Sequence, residues 1–330
     1  MIGLVILIAI ALGFDFTNGF HDAANAVATS ITTRALRPAT ALAMASALNV
    51  VGAVVSTKVA ATVGSGIITP PVGDAGLVVL FGALIGAIAW NLFTWRLGLP
   101  SSSTHALIGG LIGAGIGSAG AVHWHVLTEK VVLPMAASPL IGLALGYLSM
   151  IAILWLFRHA PPRLVNRRFR WAQSLSTAAM AYSHGTQDAQ KTMGVITLAL
   201  VTTGHLHHFH VPVWVILSSA GAMGLGTATG GWRVMRTLGS RITILDPPRG
   251  FAAQTSASAV LLFSAYGYAM PVSSTHVITS SVMGVGATRR LSSVRWGVAR
   301  EVVLAWGLTI PGAALSAWLA YQIARAVVGN

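Results

Sequence analysis

The sequence predicts an all-α polytopic membrane protein, an inverted-topology repeat of two five-segment halves with broken or re-entrant helices. Three observations carry this. Hydrophobic residues fill 55% of the 330 positions, charged residues 8%, and the mean hydropathy is +0.75. A soluble domain carries about 25% charged residues, so this chain could not cover a water-facing surface and must be solvated by membrane lipid. Ten apolar stretches recur along the chain, and two motifs of the first half return in the second. Soluble enzymes, nucleic-acid binders and disordered chains are excluded at this step. The net charge of +13, from 20 Lys+Arg against 7 Asp+Glu, has its source in basic loops and not in nucleic acid. There are no cysteines, so disulfides and thiolate metal sites get no support.

The segments are Ile2–Thr33, Ala39–Thr57, Gly76–Trp95, Ser103–Ala121, Val131–Phe157, Gln173–Val201, Pro212–Gly231, Phe251–Ala269, Val272–Ala287 and Val302–Val328. Each approaches the roughly 20 apolar residues that span a bilayer. Met1–Phe14 has no basic region and no small-residue cleavage site, so it reads as a membrane segment and not as a signal peptide. The first segment is too long for one straight crossing. Asp15, Asn18 and Gly19 interrupt it, which predicts a broken helix or a hairpin.

Arginine clusters follow segments one, five, seven and nine: Arg34 and Arg37; Arg158 to Arg170; Arg233 to Arg249; Arg289 to Arg300. With ten single crossings and an external N-terminus, all four fall on one face, which the positive-inside rule assigns to the cytoplasm. Trp155, Trp171, Trp232 and Trp296 flank the same clusters at headgroup level. The organisation is then repeat one at 1–157, a basic linker at 158–172 and repeat two at 173–330.

Pro100-Ser101-Ser102-Ser103-Thr104-His105 recurs as Pro271-Val272-Ser273-Ser274-Thr275-His276, an offset of 171 residues. Phe20-His21-Asp22-Ala23-Ala24-Asn25 resembles Thr186-Gln187-Asp188-Ala189-Gln190-Lys191, an offset of 166. Five segments per half is an odd number, so the second copy enters from the opposite side. Secondary transporters of this design hold substrate and coupling ion near the midplane, on interrupted helices from both halves.

Ionisable groups inside apolar segments are functional candidates by default. Asp22 and Asp188 qualify, with a salt-bridged structural carboxylate as the plainer reading. Beside the amide oxygens of Asn25 and Gln187, they make a hard-oxygen setting for Na⁺ or a proton, with too few carboxylates for a Ca²⁺ cage. Ser102, Ser103 and Thr104, and Ser273, Ser274 and Thr275, offer hydroxyls at two helix starts. There free backbone N–H groups and the positive dipole end attract anions, although such residues also serve as ordinary N-caps. His105 and His276 end these motifs, as proton carriers or as hydrogen-bonding struts. Lys191 follows Asp188 by three residues, as Asn25 follows Asp22, so its ammonium can take the place of one bound cation. No catalytic residue and no resident metal site is expected. The tract His205-Leu206-His207-His208-Phe209-His210 could bind a transition metal, but a short His tract in a loop is commonly incidental.

At these motifs the chain resembles the inorganic phosphate transporter (PiT) family over nearly its whole length. The stretches that carry the resemblance are Gly19 to Thr29, Gly98 to His105, Ser183 to Lys191 and Met270 to His276. The resemblance implies symport of orthophosphate with H⁺ or Na⁺ in the bacterial inner membrane, with no cofactor. In the bacterial low-affinity branch it also implies metal–phosphate complexes as substrates. It puts Asp22, Asn25 and Asp188 on the cation motif, and the Ser and Thr residues at 102–104 and 273–275 on the phosphate motif. Gln187 departs from the family's usual Asn, and Lys191 is similar to the proton-coupled bacterial branch. A sodium-coupled symporter and a sulfate or other oxyanion permease are the nearest alternatives. An anion channel and an intramembrane Ser/His hydrolase are more remote, since a duplicated Ser/His motif marks no single nucleophile. A homodimer is allowed, but no small-xxx-small motif singles out its face.

Overall fold

A computed structural model describes residues 1–118 and 120–328. The first half comprises α1 (Ile2–Thr32), α2 (Pro38–Val55), α3 (Lys58–Gly66), α4 (Asp74–Leu97), α5 (Ser103–Gly117), α6 (Trp124–Leu127) and α7 (Leu133–Leu156). The second comprises α8 (Pro162–Thr202), α9 (Val213–Thr229), α10 (Trp232–Arg236), α11 (Pro247–Phe263), α12 (Ser274–Ala287) and α13 (Trp296–Val328). π-helical turns link α6 to α7 and extend α10 and α11. The one sheet among the described residues is a short antiparallel pair, β1 (Ile68–Thr69) with β2 (Ala121–Val122).

The packing is reciprocal. α1 lies on α9 and α2 on α8; α5 lies on α13 and α7 on α12; α4 meets α5 as α11 meets α12. Two apolar cores result. One gathers Leu4 to Phe14 of α1 with α3, α4, α5, the C-terminal part of α8 and α13. The other gathers Ala23 to Ala28 of α1 with the middle of α8 and helices α11 and α12. Between them α1 carries Asp15, Asn18, His21 and Asp22, and α8 carries Ser183 to Asp188, all buried. A polar layer therefore crosses both long helices where one core gives way to the other.

Two expectations are corrected, on the shape of the first segment and on the crossing count, and the linker acquires a structure. The first segment forms neither a break nor a hairpin, because α1 runs unbroken for 31 residues. Gly19 is used for contact instead, since a Cβ there would collide with the α9 backbone at Met223. The basic linker of 158–172 is helical from Pro162 onward, in one 41-residue helix with the second half. Proline is favourable in a first helical turn, and the arginines that follow are exposed. The count of ten single crossings also gives way. Among the described residues five helices are long and apolar enough to cross a membrane, or six if α9 and α10, bent by 58°, form one span. α5 and α12 have only 15 and 14 residues, about 22 Å at 1.5 Å per residue against a core about 30 Å thick. α8 falls outside the count because its buried middle, His184 to Thr192, is largely polar.

Exposed Leu, Ile and Val side chains of α7 and α13 face outward, as lipid contact requires. Gly109 and Gly113, four residues apart on α5, meet Ile310 and Ala314 of α13, so this small-residue face is used inside the chain. Gly113→Val would force the Ala314 backbone away. The expected result is a loss of about 1–3 kcal/mol, read as a lower melting temperature in detergent beside an unaffected Gly13→Val control, where nothing lies within 4 Å of a built Cβ.

Candidate functional site

Four stretches have no exposed face: residues 21–30 of α1, 183–200 of α8, 103–115 of α5 and 274–286 of α12. A helix surrounded on all sides is a core element, yet these four carry most of the polar side chains singled out from the sequence. They converge on one centre.

The extended Pro100 and Pro271 segments end in Ser102 and Ser273. Ser102 Oγ accepts from the backbone N–H of His105 at 3.1 Å, and Ser273 Oγ accepts from that of His276 at 3.2 Å. These two serines are N-caps. The next residue of each motif turns inward: Ser103 donates to Asp22 Oδ2 at 2.6 Å, and Ser274 donates to Asp188 Oδ2 at 2.8 Å. The third residue is engaged from the opposite half. Asn25 Nδ2 donates to Thr275 Oγ1 at 2.9 Å, and the Lys191 ammonium donates to Thr104 Oγ1. The Lys191 ammonium also pairs with Asp188 Oδ1. Asn25 and Lys191 thus play equivalent parts, one as a neutral amide and the other as a cation.

All thirteen candidate residues are accounted for. Ten meet at this centre or cap the helices that enter it. Gln187 donates to the Leu261 carbonyl at 3.1 Å and keeps a buried oxygen without a partner, as Asn25 does. His105 and His276 lie ring to ring at 4.7 Å, and His276 stacks on Trp306 at 4.0 Å. Neither imidazole touches a carboxylate. His105 Nδ1 and both ring nitrogens of His276 have no partner.

Two histidines inside the quoted motifs were missed as site residues. His21 Nδ1 lies 2.7 Å from Asp22 Oδ1, and His184 Nε2 lies 2.7 Å from Asp188 Oδ2. Each is steadied from behind, His21 by Thr94 at 3.3 Å and His184 by Asn49 at 3.3 Å. A readable signal was present, because one histidine adjoins its aspartate and the other precedes it by one helical turn. Asp22, His184 and Asp188 bring one ligand atom each within 4.8 Å of one another, which can hold a cation. The tract at 205–210 forms no such group among the described residues. His205 contacts Thr203, and His210 contacts the backbone of His208.

Two carboxylates against one ammonium leave a net negative charge at the centre when the histidines are neutral. Like unit charges ~5 Å apart repel by about 3 kcal/mol at an effective dielectric near 20. Hydroxyls, amides and one ammonium supply the hydrogen-bond donors of this centre.

The Phosphate transporter family model matches residues 18–317. A "Probable low-affinity inorganic phosphate transporter" of Rhizobium meliloti (strain 1021) is 47% identical over 328 residues, covering 98% of this chain and 97% of the relative. One of the same description from Bacillus subtilis (strain 168) is 43% identical, with 97% of each chain covered. These relatives are named as transporters and not as enzymes. Among solved structures, "The sodium-dependent phosphate transporter" superposes with a TM-score of 0.88 at 24% identity, covering 99% of this chain and all of the other, a likeness of fold. With the buried four-helix centre and these full-length matches, the chain belongs to the phosphate transporter family, as a multi-pass membrane protein whose family substrate is inorganic phosphate.

Proposed function

We propose that the chain is a secondary active symporter that imports inorganic phosphate across the bacterial inner membrane with protons as the coupling ion. The observation that carries this is the Lys191 ammonium, buried between Asp188 and Thr104 where the first half has the neutral Asn25. A protein-borne cation there leaves less room for Na⁺. Asp22, Asp188, Asn25, Gln187 and Lys191 form the coupling layer. Ser103, Thr104, Ser274 and Thr275 bind phosphate, while Ser102 and Ser273 fix the helix starts that present it. His105 and His276 stand behind this layer as proton relays or struts.

The reciprocal packing supports two halves of opposite orientation, repeat one through residue 157 and repeat two from 173, and the arginine clusters put the basic loops on the cytoplasmic side. The Asp22, His184 and Asp188 group supports a divalent metal as co-transported cargo with phosphate. A sodium-coupled reading is kept for one reason: the free oxygens of Asn25 and Gln187 suit a hard cation. Lipid surrounds the chain, and a homodimer is an open proposal.

The test is radiolabelled phosphate uptake into proteoliposomes under imposed pH or Na⁺ gradients, with sulfate as competitor. The expected result is uptake that follows the pH gradient and resists excess sulfate; equal competition by sulfate would make the chain a general oxyanion permease. Single Ala replacements of Ser103, Thr104, Ser274 and Thr275 should each weaken phosphate binding about tenfold or more. A hydrogen bond to a charged partner is worth roughly 1.5–3 kcal/mol. Calorimetric binding within twofold of the parent for all four would leave these segments as helix caps alone.

A further inference from the structure

Seven residues before Asp22, on the same face of α1 and about 10 Å along its axis, sits a second acid that the centre does not use. Asp15 is fully buried, and neither of its carboxyl oxygens has a hydrogen-bond partner. Its neighbours are Asn18 on α1 and Thr192 on α8, both fully buried. The Asn18 amide and the Thr192 hydroxyl also lack partners in good hydrogen-bond geometry. Three buried polar side chains thus adjoin one another with no hydrogen bond of good geometry between them. Such groups are costly in low dielectric unless a ligand or a proton joins them.

The centre contrasts with this. Asp22 accepts from Ser103 and Asp188 from Lys191 and Ser274, so both central acids are engaged by donors. The charged groups that act on Asp15 are Lys191 and Asp188 of α8. Of the other elements packed on α1, α2 and α9 carry no ionisable residue. α4 carries Asp74 and Arg96 near its two ends, α10 and its continuation Arg233, Arg236 and Arg241, α11 Arg249 and α12 His276. An added positive charge here meets the Lys191–Asp188 pair as a whole, which is neutral.

We propose that Asp15, with Asn18 and Thr192, is the proton-binding site of the transport cycle, set apart from the phosphate centre. This rests on the proton-coupled reading above. One carboxyl oxygen takes up the proton, and the resulting O–H donates to the Asn18 or Thr192 oxygen. Release of the proton to the other side leaves the carboxylate, so no further reactant is needed. Four oxygens from three side chains are fewer than the six to eight that a cation such as Ca²⁺ takes, whereas a proton needs two.

Asp15→Asn keeps the shape and fixes the group in an uncharged form. Proteoliposomes with the unmodified protein should accumulate phosphate by roughly tenfold per pH unit for each coupled proton. The Asn variant should lose that accumulation and its pH dependence, yet keep phosphate–phosphate counterflow, which moves no net proton. Retained counterflow also shows a folded protein. Asp15→Glu should recover accumulation at least in part. Independently, infrared difference spectra across a pH step should contain a protonated-carboxyl C=O band that Asp15→Asn removes. Proton-driven accumulation undiminished in Asp15→Asn, or an unchanged carboxyl band, would overturn the assignment while leaving proton coupling intact. An unmodified protein that ignores the pH gradient and follows Na⁺ would overturn both.

Discussion

Asp22→Asn and Asp188→Asn should each abolish gradient-driven phosphate accumulation, by at least about 100-fold, while the protein still inserts and purifies. The two losses have different origins. Asp22 accepts from Ser103 and lies against His21. Weakening two charge-assisted contacts at roughly 1.5–3 kcal/mol each reaches a 100-fold effect. Asp188 is the counter-charge of Lys191, which is fully buried. Breaking a buried pair by removing one partner costs about 3–5 kcal/mol, because it strands the other charge. Asp188→Asn should therefore also lower the melting temperature, whereas Asp22→Asn should lower it less. Uptake and a melting curve on each variant give both readings. Normal accumulation in either one removes that residue from the coupling layer.

Lys191→Asn is expected to change the coupling ion. The substitution deletes the internal cation and restores the amide of the first repeat, which leaves Asp188 without its counter-charge. Na⁺-free uptake should fall at least tenfold, the effect of losing about 1.4 kcal/mol or more. Added Na⁺ should restore some of it if the ion can occupy the vacated position. Complete loss in both media also fits, since Asp188 then keeps only His184 and Ser274 and has no counter-charge. Na⁺-independent uptake at the level of the unmodified protein would show that Lys191 fills no cation position. Its contact with Thr104 would then point to a direct role on the anion.

Much of the centre was legible because the chain states it twice. Recurrence singled out Asp22 with Asp188 and the two Ser-Ser-Thr-His runs, and the structure brings the acids, Ser103, Thr104, Ser274 and Thr275 to one polar layer with His105 and His276 behind it. What recurrence could not separate were roles within a run. Ser102 and Ser103 are adjacent and chemically identical, yet one caps α5 and the other bonds Asp22, a difference set by the turn from extended chain into helix. His21 and His184 were passed over because they do not align with each other in the repeat. Asp15 was read as a helix interruption, although a carboxylate on the inward face of α1 interrupts nothing. The extent of α8 was hidden for a related reason. Arginines and prolines at 158–172 resemble a linker in composition, while Pro162 starts a helix as readily as it ends one.

The most direct measurement of the central claim is proton movement itself. Purified protein in Na⁺-free proteoliposomes, with a pH indicator outside, is given phosphate under conditions that permit net uptake. The proposal predicts alkalinisation of the outer medium in step with phosphate uptake. It also predicts that the alkalinisation is absent from protein-free vesicles and from vesicles holding Asp22→Asn protein. Phosphate uptake that requires Na⁺ and proceeds without any proton uptake would contradict it.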